Sequence, residues 1–277
     1  MTMAIQIAAA DMSDDPVVQL SRLGEWVVVG RDVQLGPGMS ALVSWLDSRF
    51  FSFATKAGAT PIEVPPFIEH SVLKRAGYFE SFSAAVVRDS NGHCITPATC
   101  YHCYPRLAAT SPAESEIWTC IARCGRHEEK EEMGRLQTFN MREIVFAGPA
   151  AWVRERRQEW MDLTLAFARS FNMMVEIEPA SDPFFGGGEA RGRRLLQQVK
   201  QLKYELRAIV DSRGTRLAIS SFNLHEAFFS HRFGFTLADG TDAYSGCVAF
   251  GLERWALALA LTLGPHAAFK LVEQERR

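Results

Sequence analysis

The sequence predicts an α+β domain in which an antiparallel β-sheet is flanked by helices. Three observations carry that expectation. Strand-like segments at 117–122, 136–146, 204–210, 216–221 and 246–250 run through the chain from its middle onward. Long stretches with helical apolar spacing, at 40–57, 150–171 and 253–263, stand beside them. The turn Asp211-Ser-Arg-Gly214 joins two of the strands as a hairpin, the connection of antiparallel neighbours. The 277 residues are 47% hydrophobic, enough for one large core.

Each element has a local reason. Residues 1–39 are short and mixed in character and read as a peripheral extension; residues 40–277 read as the main domain. Gly36-Pro37-Gly38 is a break. From Ser40, apolar residues recur at helical spacing (Leu42, Val43, Trp45, Leu46, Phe50, Phe51, Phe53), and Gly58 ends the helix. Pro61-Ile-Glu-Val-Pro-Pro66 is a short strand closed by prolines. A helix-like stretch runs through Phe79, and 84–125 alternates strands with loops. Residues 117–122 form a buried strand, 126–135 a charged, solvated loop, and 136–146 an alternating strand. Residues 150–171 form an amphipathic helix that packs on the sheet. Phe184-Phe-Gly-Gly-Gly188 is a hinge, because it lacks the Lys and Ser/Thr of a phosphate loop. A basic stretch through Arg191, Arg193, Arg194 and Lys200 to Lys203 follows.

Composition excludes several classes. The formal net charge of −2 gives no whole-protein case for nucleic-acid binding, although a local basic patch remains possible. No segment reads as a signal peptide, and no apolar run reaches the ~18 residues of a membrane span, so a cytoplasmic location is the default. The six cysteines, at 94, 100, 103, 120, 124 and 247, are expected reduced. They are open to burial, chemistry or metal binding. Cys100-Tyr-His-Cys103 with Cys120 and Cys124 could form a four-cysteine site, although the second pair has the less usual spacing. His225 and His231 flank aromatic residues and read as packing or surface histidines.

Three charged spots sit at strand ends: Arg126-His-Glu128, Arg135-Leu-Gln-Thr-Phe139 running into Met141-Arg-Glu143, and Phe250-Gly-Leu-Glu-Arg254. Singly each is weak, but their order is informative. A long helix and a proline-closed strand (40–57, then Glu63-Val-Pro-Pro66) come first. Arg126-His-Glu128 follows, with a loop and an aromatic-bearing strand. Gly246-Cys-Val-Ala-Phe-Gly251 with Arg254 comes last. Over 40–263 this resembles the three signatures of class II aminoacyl-tRNA synthetases. Lys203-Tyr-Glu-Leu206 and Ser220-Ser-Phe-Asn223 point to the seryl branch. Most specifically, the chain resembles the amino acid:[carrier protein] ligases, truncated homologues of the zinc-dependent methanogen-type seryl-tRNA synthetases.

The resemblance implies a site and a reaction. Cys100, Glu143 and Cys247 fall where that branch holds zinc, and two thiolates with a carboxylate suit that ion and leave one position open. In the family the open position takes the substrate's α-amino group. Arg126 would compensate charge at the α-phosphate of ATP, and Arg254 would hold the γ-phosphate. Glu128, Arg135, Leu136 and Phe139 would complete the nucleotide site, with Phe139 stacked on the adenine. Glu205 would serve ATP and its Mg²⁺. Glu143, Ser221 and Asn223 would line the amino-acid pocket. A small amino acid, glycine or alanine, would pass as its adenylate to the phosphopantetheine thiol of a carrier protein. The stretch from Arg191 to Lys203 would meet that carrier. Only about 40 residues precede the first signature, too few for the seryl branch's tRNA arm, so no tRNA partner is expected. A homodimer is implied through the first-signature helix. The alternatives are a catalytically weak paralogue acting as a regulatory or binding protein, and a tRNA-dependent synthetase fragment.

Overall fold

A computed structural model describes residues 16–82, 85–110, 114–127, 133–180 and 201–274. Helix α1 (Pro16–Arg22) leads into a hairpin of β1 (Trp26–Val29) and β2 (Asp32–Leu35), then into the 20-residue helix α2 (Pro37–Lys56). Helix α2 starts three residues before the expected Ser40. Pro37 suits the first helical turn, where its missing N–H costs nothing. The described residues before α2, 16–36, pack on the main domain. Leu20 and Trp26 are buried in the main core, and Asp32 accepts hydrogen bonds from Thr138 N (2.7 Å) and Oγ1 (3.1 Å).

The strand expected over 61–66 is absent as such. Only its margins pair, as β3 (Thr60–Pro61) and β4 (Phe67–Ile68), because prolines cannot donate to a ladder. Helices α3 (His70–Arg75) and α4 (Tyr78–Phe82) and strand β5 (Cys94–Ile95) follow. A 3₁₀ turn (Thr99–His102) runs directly into α5 (Cys103–Thr110). Next come the long strands β6 (Glu116–Gly125) and β7 (Thr138–Gly148), helix α6 (Ala150–Arg169) and strand β8 (Val175–Pro179). The chain finishes with β9 (Lys203–Ile209), β10 (Arg216–Glu226), α7 (Phe228–Phe233), β11 (Tyr244–Gly251), α8 (Leu252–Leu263) and α9 (Pro265–Gln274).

Seven strands form one sheet in the order β3-β6-β7-β11-β10-β9-β8. All its pairings are antiparallel except the two-residue parallel contact of β3 with β6. Strand alternation sends successive side chains to opposite faces. On one face Ile144, Phe146, Phe222, Leu224, Val248 and Phe250 join α2, α6 and α8 in the main core. Phe50 of α2 stacks on Phe250, with ring centroids 3.9 Å apart. Helix α8 is apolar nearly all round and is buried accordingly. Among the described residues no single helix is long and apolar enough to cross a membrane. On the other face Trp118, Cys120, Met141, Val145, Cys247 and Ala249 pack beneath α5, α7 and the 3₁₀ turn. Gly246 is required between them: a Cβ there would meet Phe146 at 2.5 Å and the Asn223 carbonyl oxygen at 2.8 Å.

A buried ion pair ties α2 to the sheet. Arg142, 6% exposed, donates through Nε and Nη2 to both carboxylate oxygens of Asp47 and through Nη1 to Thr119 Oγ1 (3.1 Å). Asp47→Ala would strand that guanidinium in the interior. It is expected to lower unfolding free energy by about 3 kcal/mol, read by denaturant melts. The exposed-face control Asp162→Ala is expected to stay within about 0.5 kcal/mol of the parent. Equal stability of the two variants would refute the coupling.

Candidate active site

The second face of the sheet organises the site. Register places Cys120, Glu143, Ala249, Ser221, Glu205 and Glu178 in one row across β6, β7, β11, β10, β9 and β8. The next row on that face is Trp118, Val145, Cys247, Asn223 and Lys203. Glu143 and Cys247, distant in sequence, therefore become diagonal neighbours on paired strands. The Cys247 thiol donates to Glu143 Oε1 at 3.4 Å. Cys100 comes from above, on the 3₁₀ turn. Thr99 Oγ1 fixes that turn to the Met141 carbonyl oxygen (3.0 Å), and Cys100 N donates to Glu143 Oε2.

Cys100, Glu143 and Cys247 thus present two sulfurs and a carboxylate oxygen within 4.8 Å of one another, all buried. Three acids crowded in the interior resist ionising together. The hydrogen bond with Cys247, then burial, raises Cys100 well above the ordinary thiol range, and burial raises Glu143. At Cys247 the hydrogen bond with Cys100 favours the thiolate, but burial and the Glu143 charge outweigh it. A bound dication would remove that mutual penalty, so the donor set suits a metal ion. The four-cysteine alternative is not assembled. Cys103 and Cys120 Sγ lie 3.9 Å apart, but Cys124 contacts Thr99 Oγ1 instead, at 3.7 Å. Among the described residues no other group of three or more possible ligands gathers.

Beside the triad lies a cavity of about 20 Å³ lined in part by Ala98, Tyr101, Arg126, Ser221, Asn223 and His225. Asn223 Nδ2 donates to Cys247 Sγ (3.4 Å) and Ser221 Oγ (3.2 Å). Its Oδ1 is buried and has no partner among the described residues, leaving an acceptor at the cavity wall. Arg126 follows the last residue of β6. Its Nε donates to the Pro97 carbonyl oxygen (2.7 Å), and its guanidinium carbon lies 5.4 Å from the Phe139 ring centre.

The other residues singled out from sequence are placed differently. Arg254, at the start of α8, donates through Nε to the Gly134 carbonyl oxygen (2.8 Å) and through Nη1 to that of Ala218 (3.1 Å). Glu253 beside it is buried and accepts from Asn140 N, Asn140 Nδ2 and Arg123 Nη1. Arg135 is half-buried, whereas Leu136 belongs to the main core on the helix side. Glu205 shares a row with Glu143 and Ser221, but its oxygens accept from Lys203 Nζ (3.0 Å) and Arg207 Nη2 (2.8 Å). Lys203 is buried in that pair and is no part of a solvated basic face. Glu128, the hinge at 184–188 and the basic residues Arg191, Arg193, Arg194 and Lys200 lie outside the described residues.

One residue of the site escaped sequence reasoning. His225 is buried, with Nε2 3.8 Å from Cys247 Sγ; burial lowers its pKa to about 3 and keeps the ring neutral. The signal was the alternation Ser221, Asn223, His225 along one strand. It was missed because the strand was expected to stop at Ser221, whereas β10 runs on to Glu226. His231 is an exposed histidine paired with Asp242 (2.8 Å), as expected of a surface residue.

The architecture has counterparts among solved structures. The M. kandleri seryl-tRNA synthetase in complex with A. aeolicus tRNASec aligns with 94% of this chain and 60% of its own, at a TM-score of 0.79 and 17% identity. Seryl-tRNA synthetase from Pyrococcus horikoshii complexed with ATP aligns at 0.73 and 14% identity, over 93% and 62%. These likenesses show the class II synthetase fold. No family model matches the chain. In sequence, the type-2 serine–tRNA ligase of Methanothermobacter thermautotrophicus is 24% identical over 59% of this chain and 33% of its own. Two proteins of Bradyrhizobium diazoefficiens are nearer. Amino acid–[acyl-carrier-protein] ligase 1 is 33% identical over 76% of this chain and 73% of its own, and ligase 2 is 30% identical over 97% and 90%. With near full-length similarity to these enzymes, on a class II synthetase sheet, the chain belongs to the amino acid–[acyl-carrier-protein] ligase family.

Proposed function

We propose that this enzyme activates a small amino acid, glycine or alanine, with ATP and passes it to the phosphopantetheine thiol of a carrier protein. The observation that carries this reading is the convergence of Cys100, Glu143, Cys247, Ser221, Asn223 and Arg126 on one small cavity. The names of the Bradyrhizobium relatives support the acceptor, and the near-neutral charge agrees with a partner other than tRNA.

In the first half-reaction a substrate carboxylate oxygen attacks the α-phosphorus of ATP, the bond to the β-phosphate oxygen breaks, and pyrophosphate leaves. The nucleophile is already ionised at neutral pH, so no general base is needed. Arg126, which lines the cavity, would offer a permanent cation to the carboxylate and the α-phosphate. Phe139, under that guanidinium, offers a ring face to the adenine, and Arg254 is the cation assigned to the γ-phosphate. Arg135 joins the nucleotide site in this reading, and Glu205 would serve ATP and its Mg²⁺ by exchanging its present cationic partners. In the second half-reaction the carrier thiol attacks the acyl carbon and AMP leaves.

Cys100, Glu143 and Cys247 are the residues that would hold zinc, which when bound offers an open position to an unprotonated α-amine. Asn223 Oδ1 supplies a buried acceptor beside it for the substrate's polar hydrogens. The cavity wall includes the small side chains of Ala98 and Ala249 beside Met141 and Phe229, which supports glycine or alanine. A homodimer completes the reading. It is supported by the exposed apolar residues Val27, Val28 and Val29 of the hairpin that packs on α2, and by Phe51 of α2 itself.

Pyrophosphate exchange, run with each of the twenty amino acids on zinc-replete protein, tests this. Exchange is expected with glycine or alanine, and at most weakly with leucine or phenylalanine. No exchange with any of the twenty would remove the reading, and preference for a large side chain would remove its specificity.

A further inference from the structure

We propose that His225 positions and tunes Cys247 as a metal ligand by donating its Nε2–H to the Cys247 thiolate. The inference rests on the metal reading above and extends it to a residue outside the ligand triad.

The ring is held on all sides. His225 Nε2 lies 3.8 Å from Cys247 Sγ, and Nδ1 lies 3.2 Å from Tyr104 Oη and 3.3 Å from Ser245 Oγ. Phe229 meets the imidazole edge-on at 4.9 Å, and stacks in turn on Tyr104 at 3.8 Å. The histidine is therefore locked between one sulfur and two hydroxyls.

Counting protons sets its tautomer. A neutral imidazole has one N–H and one lone pair. Tyr104 and Ser245 each carry a hydroxyl hydrogen that can be given to Nδ1. A ligating thiolate carries none and can only accept. With Cys247 as thiolate, Nε2 must bear the ring proton, and Nδ1 accepts from Tyr104 or Ser245. Asn223 Nδ2, 3.4 Å from the same sulfur, is the second donor. Two donors from alternate positions of β10 thus converge on the sulfur presented by β11. Such outer partners orient a ligand and lower the charge it must carry alone, and losing one typically costs about 10–100-fold in metal affinity.

Long-range ¹H–¹⁵N correlation on the zinc-loaded full-length protein, with the resonance assigned by its loss in His225→Gln, is expected to show His225 as the Nε2–H tautomer. In chelator competition, His225→Ala is expected to bind zinc about 10–100-fold more weakly while still reaching full occupancy at saturating metal. His225→Gln, whose amide can still donate, is expected to recover part of that loss. In cobalt-substituted protein the sulfur-to-metal charge-transfer band is expected to shift in the alanine variant. An Nδ1–H tautomer or an imidazolium in the loaded wild type, or wild-type zinc affinity in His225→Ala, would overturn the role of His225 and leave the metal reading standing. A wild-type protein that takes up neither zinc nor cobalt would remove both.

Discussion

Cys247→Ser is expected to strip the metal from the protein and to lower amino-acid-dependent pyrophosphate exchange by at least about 100-fold, the upper range already seen for losing a mere outer partner of a metal site. The substitution is nearly isosteric, so the fold should survive it. Its effect falls on the donor set. A serine hydroxyl is a hard, poorly acidic ligand where the site offers a buried sulfur 3.4 Å from Glu143 and within reach of Asn223 and His225. Glu143 and Cys100 would remain, but two donors are too few for a tight zinc site. Cys94→Ala, in strand β5 and outside the ligand triad, serves as the control and is expected to keep its metal. Metal content per chain and exchange rate, measured on the same preparations, decide the matter. One full equivalent of zinc with undiminished exchange in Cys247→Ser would sink the metal reading.

The second large effect is expected at Arg126. Arg126→Ala should lower exchange by about 10²–10³-fold, the scale of removing one preorganised donor from a developing anion. The arginine is fixed before substrate arrives. Its Nε is bound to the Pro97 carbonyl oxygen at 2.7 Å, and the guanidinium lies against Phe139 while its residue lines the cavity. Arg126→Lys should rescue little. An ammonium cannot keep the backbone anchor, cover the ring and face the substrate together. Metal content should stay at the parent level in both variants, which separates loss of charge compensation from loss of the site. Retention of parental exchange by Arg126→Ala would exclude it from the chemistry.

Most of the elements were legible because strand and helix periodicities are local. Alternation marked β7, helical spacing marked α2 and α6, and the hairpin at 211–214 marked the β9–β10 pair. Boundaries slipped where a local rule met a tertiary one. Proline at 37 extended α2 backward, and prolines at 61, 65 and 66 reduced an expected strand to two short pairings. Strand β10 continued past Ser221 because Phe222 and Leu224 bury their side chains against the helix layer, a partner the segment itself does not reveal.

The site was legible in identity more than in geometry. Cys100, Glu143 and Cys247 were picked out by resemblance, since nothing in their spacing over the chain links them. Lys203 looked like part of a basic surface and is instead buried against Glu205. Leu136, beside a signature arginine, points into the helix-side core. His225 looked like packing and lies against the Cys247 sulfur.

Local sequence marked most of the strands and helices, the apolar face of the long ones, and the inventory of thiols, carboxylates and guanidiniums available for chemistry. Those properties depend on neighbours within a few residues. Long-range packing set the rest: Glu143 pairs with Ala249 and so sits diagonal to Cys247, a 3₁₀ turn lowers Cys100 onto them, and His225 meets the same sulfur. Strand register and layer packing are set by contacts between residues far apart in the chain, and alternation specifies a face without naming the neighbour across the strand.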